Sequence, residues 1–260
     1  MLRVSVKGRL RERGFVAGVF VETRSPEAVE CLGLAGFDFC IIDREHGDYS
    51  PEATTDLMRA ATLADVAPLV RVRRNEPGEI LEALDLGAVG LHVPQIASAE
   101  EAARAVSAAR FPPAGERGFN PFVRAANYGA TAAVEFRRQA DEDTLLVLHI
   151  EGAKALAEVD AILATPGVDV AFLGPYDLSQ TIGLPGEVTH PRVREALRKV
   201  VEAGRTHGVA VGCFANDLDL AAVWIAEGVS YLAYSVDTQL FLRAATAARD
   251  GLDRLLEARR

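Results

Sequence analysis

Short apolar runs alternate with segments of helical character along the whole chain. Eight runs read as strands, at residues 16–21, 38–43, 68–72, 89–93, 145–150, 168–174, 209–214 and 229–234. Several are apolar almost throughout, as strands buried on both faces of a parallel sheet are. Strands that alternate with helices predict βα units and a parallel sheet.

The segments between these runs carry helix start signals. Ser25 and Ser50 each precede a Pro-Glu pair, and Ser98 stands three residues before Glu101, as in a capping box. Eight strands and eight helices, the last at 238–260, predict an α/β fold: a (β/α)₈ TIM barrel spanning residues 1–260 as a single domain. A doubly wound open sheet is the alternative. The first strand is not followed by a G-x-G-x-x-G loop, and the chain has no Walker loop.

One connection, at residues 110–143, is much longer than a βα loop with its helix. Connections of this length are usually functional, so we expect either a lid over the active site or a contact between subunits.

Charge and cysteine content narrow the class of protein. The chain has 28 Lys and Arg against 37 Asp and Glu, a net charge of −9, which argues against a nucleic-acid or anionic-membrane partner. The chain has no apolar run of about 18 residues, and its N-terminus is charged. We therefore expect a cytoplasmic protein without a membrane span. Cys31, Cys40 and Cys213 form no CxxC motif and are expected as reduced thiols.

In such a barrel the active site forms at the carboxyl ends of the strands. Glu151 and Asp177 follow two neighbouring strands there, and two carboxylates in one pocket favour a bound cation. Oxygen ligands with open positions suit Mg²⁺ or Mn²⁺ rather than structural Zn²⁺. The alternative is that each carboxylate caps a helix N-terminus.

Other strand-end residues could bind substrate or move a proton. Arg71 lies within an apolar strand, so its guanidinium needs either an anionic ligand or an ion pair with a nearby acid. His46 could transfer a proton or be structural. His149 shares a side of its strand with Glu151, as a third ligand or a polar wall. His92 is expected to pack in the interior.

The lysines argue against Schiff-base chemistry. Lys7 is in the N-terminal tail, Lys154 on a helix and Lys199 on an outward helical face, so none is placed inside the predicted barrel. A carbonyl-activating enzyme on this scaffold would need a metal.

Six segments of the chain resemble the HpcH/HpaI aldolase family of metal-dependent pyruvate aldolases. They are IIDREHGDYS from Ile41, PLVRVRRNEPGEILEALDLGAVGLHVPQI from Pro68, PPAGERGF from Pro112, IEG from Ile150, FLGPYDLSQTIGLPG from Phe172 and YSVDTQLF from Tyr234. Their order and spacing together are more specific than any one segment, and the resemblance runs nearly end to end.

The resemblance implies a reaction and an assembly. It implies reversible cleavage of a 4-hydroxy-2-oxo acid to pyruvate, or a related 2-keto acid, and an aldehyde, with Mg²⁺, Mn²⁺ or Co²⁺ as cofactor. It also implies a homohexamer, a trimer of dimers in which the C-terminal helix is exchanged between partners. Loops near Arg117 and Arg124 are then expected to reach a neighbouring subunit's site.

The resemblance also assigns residue roles. It implies Glu151 and Asp177 as metal ligands, Arg71 at the substrate keto oxygen, and His46 with Asp85 as a proton-handling pair. The residues implied to bind substrate, together with Arg71, are Phe20, His149, Gly174, Pro175 and Tyr176.

The chain departs from the pattern of this family in three places. His149 stands where a Gln is usual, Phe20 where the aromatic is often Trp, and Tyr234-Ser235-Val236-Asp237 where Gly-Val-Asp is usual. Two other functions therefore stay open: an acyl-CoA lyase of the citramalyl- or malyl-CoA type, and a non-catalytic barrel that binds small acids.

Overall fold

Eight parallel strands pair in chain order and close into a barrel, with the first strand beside the eighth. The computed structural model describes residues 5–258. The strands are β1 (Val16–Val21), β2 (Phe39–Asp43), β3 (Ala67–Arg71), β4 (Gly90–Val93), β5 (Leu145–Ile150), β6 (Val170–Leu173), β7 (Ala210–Ala215) and β8 (Tyr231–Val236). This closed order confirms the predicted TIM barrel and excludes the open sheet.

Helices surround the barrel and fill the connections. They are α1 (Val6–Arg13), α2 (Pro26–Leu34), α3 (Pro51–Leu63), α4 (Pro77–Leu86), α5 (Ala99–Ala109), α6 (Ala133–Asp143), α7 (Ala153–Ala157), α8 (Val159–Leu163), α9 (Pro175–Thr181), α10 (Pro191–His207), α11 (Leu218–Glu227) and α12 (Asp237–Glu257), with a 3₁₀ turn at Arg124–Gly129. The predicted last helix, 238–260, ends on two residues outside the described range. Across residues 5–258, no helix has the length and apolar character needed to cross a bilayer.

Inward-facing side chains are apolar near the amino ends of the strands, and on β2, β3, β4 and β5 they become polar toward the carboxyl ends. Phe39, Leu69 and Val147 belong to the apolar filling of the barrel. Further along the strands, Asp43 pairs in register with Arg71, and Arg71 with His92. Strand register therefore sets these three side chains next to one another at the carboxyl-end face.

Helix α1 covers the opposite, amino-end face of the barrel. Val6 is buried and packs with Leu10 against the barrel interior. Lys7 forms an ion pair of 2.9 Å with Asp169, and Arg9 and Asp38 form a second pair across this face. The sequence analysis placed Lys7 in a tail; the structure corrects this, since Lys7 belongs to a helix that seals the barrel.

The long connection is also at the amino-end face, between α5 and β5. Its own small core contains Phe111, Ala126 and Phe136. Because α5 runs back from the carboxyl ends of the strands, the segment after it lies at the far end from the site. The expectation of a lid over this chain's own site is therefore wrong; a contact between subunits stays a prediction.

The three cysteines are free thiols, as expected. Cys31 is exposed, while Cys40 and Cys213 are buried. Burial raises the pKa of the Cys40 thiol to about 12, so it packs as a small neutral hydrophobe.

Candidate active site

A cavity of about 180 Å³ opens at the carboxyl-end face of the barrel. Its wall contains every predicted site residue except Asp85. A larger cavity of about 360 Å³ lies at the amino-end face beside Arg117 and Arg124, away from the polar strand ends. Since the candidate chemistry gathers in the smaller cavity, we take that cavity as the candidate active site.

Arg71 is held in the cavity by two carboxylates. Its Nε donates to Asp43 Oδ1 at 2.8 Å, its Nη2 also bonds Asp43, and its Nη1 lies 3.1 Å from Glu45 Oε2. Its guanidinium also stacks 4.8 Å from the Phe20 ring centre. Burial lowers the pKa of Arg71, but the carboxylates of Asp43, Glu45 and Glu151 together outweigh this and raise it. Of the two alternatives for Arg71, the ion pair with a nearby acid is therefore the one that the structure contains.

That ion pair leaves Arg71 available to a ligand. A guanidinium carries five N–H groups, and Nε and Nη2 each donate one of them to Asp43. Nη1 lies within ion-pair distance of Glu45, and the N–H groups not bonded to Asp43 can still donate to an anionic oxygen in the cavity.

Asp43 also shapes the loop that carries His46. Its side chain is fully buried, and Oδ1 accepts the backbone N–H groups of Glu45 at 3.0 Å and His46 at 3.3 Å. His46 is exposed and forms part of the cavity wall. One carboxylate therefore fixes both the guanidinium and the backbone of the candidate proton carrier.

The Glu151 and Asp177 carboxylates face each other across Gly174. A Cβ atom added to Gly174 would lie 3.1 Å from Glu151 Cγ and 3.4 Å from both Glu151 Oε1 and Asp177 Oδ2. Because Glu151 Oε1 and Asp177 Oδ2 both lie 3.4 Å from this one point, they are at most twice that distance apart. The missing side chain of Gly174 leaves open the space between the carboxylates.

Glu151 is fixed by two hydrogen bonds. His149 Nδ1 lies 2.8 Å from Oε1, and the backbone N–H of Gln95 donates to Oε2 at 3.1 Å. Burial would raise the pKa of Glu151, but His149, the Gln95 N–H and Arg71 outweigh it and lower the pKa. Neither hydrogen bond is donated by the N-terminus of α7, the helix that follows β5. Glu151 therefore does not cap that helix, which was the alternative to a metal ligand. Asp177 does lie in the first turn of α9.

These residues fit a divalent cation whose other ligands are not from the protein. Residues 5–258 hold no cluster of three or more His, Cys, Asp or Glu side chains suited to a metal. Two carboxylates beside an open space match hard cations such as Mg²⁺, which keep waters and bind substrate oxygens. The donor set therefore fits a metal that shares its coordination with a ligand.

Both ring nitrogens of His149 are occupied. Nδ1 contacts Glu151, and Nε2 lies 2.8 Å from His92 Nδ1. These two contacts and its place in the cavity wall favour the alternative of a polar wall over that of a third metal ligand. Only the carbon edge of the ring is free to contact a substrate.

Asp85 does not pair with His46 within one chain. Helix α4 leaves β3 at the carboxyl-end face and returns, which carries Asp85, in its last turn, to the amino-end face. There its Oδ1 accepts a hydrogen bond of 2.9 Å from Arg117 Nη2. Arg124 donates to the Leu86 carbonyl oxygen beside it. The intrachain His46–Asp85 pair is a correction to the sequence analysis.

The sequence analysis missed two contributors to the site. Gln95, in a left-handed conformation with φ 58°, bonds Glu151 through its N–H and Glu45 through its side chain. Glu22 lies in the cavity wall, where burial and the carboxylates of Asp43 and Asp237 raise its pKa. A polar residue just after strand β4 was the only available signal for Gln95.

The fold and this site define a barrel enzyme with carboxylates and an arginine at the carboxyl ends of its strands. The family model described as HpcH/HpaI aldolase/citrate lyase matches residues 16–244. The chain belongs to this family and is a lyase.

Characterised relatives match over most of their length. A hydroxypyruvate/pyruvate aldolase from Paraburkholderia phytofirmans is 37% identical, over 94% of this chain and 95% of the relative. A 2-dehydro-3,6-dideoxy-6-sulfogluconate aldolase from Pseudomonas putida is 33% identical, over 91% of this chain and 92% of the relative. A crystal structure of a family protein from Burkholderia cenocepacia superposes with a TM-score of 0.89 at 36% identity, over 95% and 98%.

Proposed function

We propose that this enzyme is a metal-dependent aldolase that cleaves a 4-hydroxy-2-oxo acid to pyruvate, or a related 2-keto acid, and an aldehyde, and catalyses the reverse condensation. The observation that carries the proposal is the facing pair Glu151 and Asp177, with Gly174 between them and Arg71 in the same cavity. Relatives named as hydroxypyruvate, pyruvate and sugar-acid aldolases support the substrate class.

Glu151 and Asp177 would hold the divalent ion, for which we propose Mg²⁺ or Mn²⁺, with Co²⁺ as a further candidate. When bound, such an ion supplies Lewis-acid polarisation of a 2-keto acid's carbonyl. The two carboxylates would hold it between them, and the bonds from Gln95 and His149 fix the orientation of Glu151. Phe20, Pro175 and Tyr176 are proposed to line the substrate site.

Arg71 would stabilise the oxygen on which negative charge develops. Its guanidinium is already oriented, because two N–H groups donate to Asp43 and Nη1 pairs with Glu45. A donor fixed in advance costs no reorganisation during the reaction, and donors of this kind contribute about 10²- to 10³-fold in rate.

His46 would accept the proton of the C4 hydroxyl in cleavage and return it in condensation. Its exposed position in the cavity wall gives it access to substrate and solvent. Asp85 lies at the opposite face of the same chain, so any role for it at His46 requires a neighbouring subunit.

We also propose that the enzyme is a homo-oligomer, a trimer of dimers in which α12 is exchanged. Helix α12 has 21 residues, and Asp237 is its only buried residue. Phe241, Leu242, Leu252, Leu255 and Leu256 on it are exposed. Exposed apolar side chains on one long helix are typical of a contact with another chain.

The test is exchange of the C3 protons of pyruvate for deuterium, followed by NMR. We expect EDTA to abolish exchange and Mn²⁺ or Mg²⁺ to restore it. His46→Ala is expected to slow it about 10²- to 10⁴-fold and Arg71→Ala at least about 10²-fold. Full exchange after exhaustive chelation contradicts the metal role, and rates within about threefold of wild type contradict the residue roles.

A CoA thioester assayed beside a free 4-hydroxy-2-oxo acid separates this proposal from an acyl-CoA lyase. Arg73, two residues after Arg71, already contacts Glu79 and the Tyr49 carbonyl oxygen, which leaves it less available to the phosphates of CoA. We therefore expect turnover of the free acid only.

A further inference from the structure

A buried chain of hydrogen bonds runs from the barrel interior to Glu151. The Tyr231 hydroxyl lies 2.7 Å from His92 Nε2, His92 Nδ1 lies 2.8 Å from His149 Nε2, and His149 Nδ1 lies 2.8 Å from Glu151 Oε1. Tyr231, His92 and His149 are at most 1% exposed. Neither the proposed reaction nor the metal role uses Tyr231 or His92.

Only one assignment of protons satisfies every group in this chain. In the part of the protein that is described, His92 Nε2 is the sole hydrogen-bond partner of the Tyr231 hydroxyl. The hydroxyl must therefore donate to Nε2, since otherwise its buried hydrogen has no acceptor. His92 then carries its proton on Nδ1 and donates to His149 Nε2. His149 in turn carries its proton on Nδ1 and donates to Glu151.

The surroundings of His92 agree with this arrangement. Burial lowers the pKa of His92 well below its ordinary value, so its ring is neutral and carries a single proton. Burial also raises the pKa of Tyr231, so its hydroxyl keeps the proton it donates. A cationic His149 would donate from both nitrogens, which would reverse His92 and leave the Tyr231 hydrogen without a partner.

The barrel interior is shaped to hold this chain. Tyr231 stacks on Phe39 with ring centres 4.4 Å apart, and Phe172 packs against both imidazoles. A Cβ on Gly212 would lie 2.8 Å from the Tyr231 ring, so glycine there makes room for the tyrosine. Aromatic walls exclude water, which removes other partners for the ring nitrogens.

We infer that Tyr231 and His92 are positioning residues that set the proton arrangement of His149, so that a fixed N–H donor always faces Glu151 and holds its carboxylate oriented toward the bound divalent cation. The inference rests on the proposed metal role of Glu151. If the hydroxyl is removed, His92 can carry its proton on either nitrogen. If the direction of the hydrogen bonds is reversed, the lone pair of His149 Nδ1, and no longer its N–H group, faces the Glu151 carboxylate.

The first experiment measures Mn²⁺ affinity by calorimetry, without substrate. Tyr231→Phe removes one oxygen atom and keeps the stacked ring. Partners that orient a metal ligand are usually worth about 10- to 100-fold in affinity, and we expect about three- to tenfold here because Tyr231 acts through two histidines. Tyr49→Phe is the matched control, since it removes a buried hydroxyl bonded only to the Val21 and Thr23 carbonyl oxygens.

A double-mutant cycle tests the route through His92. In a His92→Phe background, Tyr231→Phe should no longer change Mn²⁺ affinity, because the path to His149 is already cut. Equal effects of Tyr231→Phe in both backgrounds overturn the inference. The inference is also overturned if Tyr231→Phe binds Mn²⁺ with the same affinity as Tyr49→Phe. If Glu151→Gln abolishes binding in the same series, the proposed metal role of Glu151 still stands. If wild type binds no Mn²⁺, the proposed function fails first, and the metal part of the inference fails with it.

The second experiment reads the protons directly and needs no variant to fold. In ¹⁵N-histidine NMR of the metal-free wild type near neutral pH, both His92 and His149 should carry the proton on Nδ1 and none on Nε2. Tyr231→Phe should mix the two tautomers. A proton on Nε2 of either histidine in wild type overturns the proposed direction, whatever the metal measurements give.

Discussion

Asp43 is the residue on which most of the site geometry depends. It is fully buried and accepts hydrogen bonds from two nitrogens of Arg71 and from the backbone N–H groups of Glu45 and His46. A buried carboxylate is stable only when such donors surround it. The same donors that make its burial possible therefore fix the two groups proposed to handle charge and protons.

We predict that Asp43→Asn destabilises the protein by about 2 kcal/mol or more, because Arg71 loses the carboxylate that accepts two of its N–H groups and keeps only the ion pair with Glu45. Urea unfolding measures the change. Asp48→Asn is the control: Asp48 is 97% exposed and pairs with Arg24 at the surface, where such pairs contribute little. Equal unfolding midpoints for the two variants would contradict the structural role of Asp43.

Glu22 predicts a pH dependence of stability. Burial, with Asp43 and Asp237, raises its pKa above the ordinary 4.5, so the folded protein holds this proton more tightly than the unfolded chain. This contribution is complete below 4.5 and is lost as the pH rises through the raised pKa. The Tm of Glu22→Gln, relative to wild type, should therefore increase from about pH 4 to about pH 8. A difference that is constant or falls with pH contradicts the assignment.

At the scale of elements, the turn between β6 and α9 opens the metal site. Gly174 caps α9 with φ −82° and ψ 97°, a conformation that alanine also adopts. What requires glycine is the space: Glu151 and Asp177 approach the position a Cβ would occupy. The turn and the strand end before α7 therefore form the site together.

Gly174→Ala is expected to fold normally and to weaken Mn²⁺ binding about tenfold or more, because the methyl group pushes Glu151 from its place. Calorimetry measures the affinity, and thermal melting checks the fold. Gly152→Ala is the matched control, since nothing lies within 4 Å of its added Cβ. Unchanged affinity in Gly174→Ala argues against a cation between these carboxylates.

At the scale of the whole molecule, one barrel leaves surfaces that suit further chains. Helix α12 extends about 31 Å at 1.5 Å per residue and buries little of its apolar surface. The amino-end face carries the long connection and the larger cavity. Both features are consistent with the proposed oligomer, in which Asp85 would belong to an interface.

Leu255→Glu is predicted to shift the protein toward smaller species in analytical ultracentrifugation, because it places a charge in the proposed contact of α12. Leu255 is 65% exposed in the single chain, so its replacement should leave the barrel folded. Leu34→Glu, on the 85% exposed Leu34 of α2, is the control. The same mass distribution for both variants would contradict an α12 interface.

Much of the barrel follows from local pattern. Strands β1 and β5 have the predicted bounds, and the other six differ by one or two residues at one or both ends, because an apolar run does not mark where the ladder bonds begin and end. The N-caps at Ser25, Ser50 and Ser98 form as predicted. Helix α1 was missed because its charged sequence has only Val6 buried.

The position of Asp85 shows where resemblance and topology disagree. The sequence places it at the end of the helix before β4, and such a helix end lies at the amino-end face of a barrel. Topology alone therefore separates Asp85 from His46 within one chain. A His46–Asp85 pair, as the resemblance implies, would therefore have to join two subunits.

The sequence by itself determined the barrel and the strand ends at which Arg71, Glu151 and Asp177 stand, because alternation along a strand and alternation of strands with helices are local properties. Only the tertiary structure decided the ion pair of Arg71, the bond from Gln95 to Glu151, and the path from Tyr231 to Glu151. Tyr231 and His92 are 139 residues apart, and closing the barrel is what brings them within 2.7 Å.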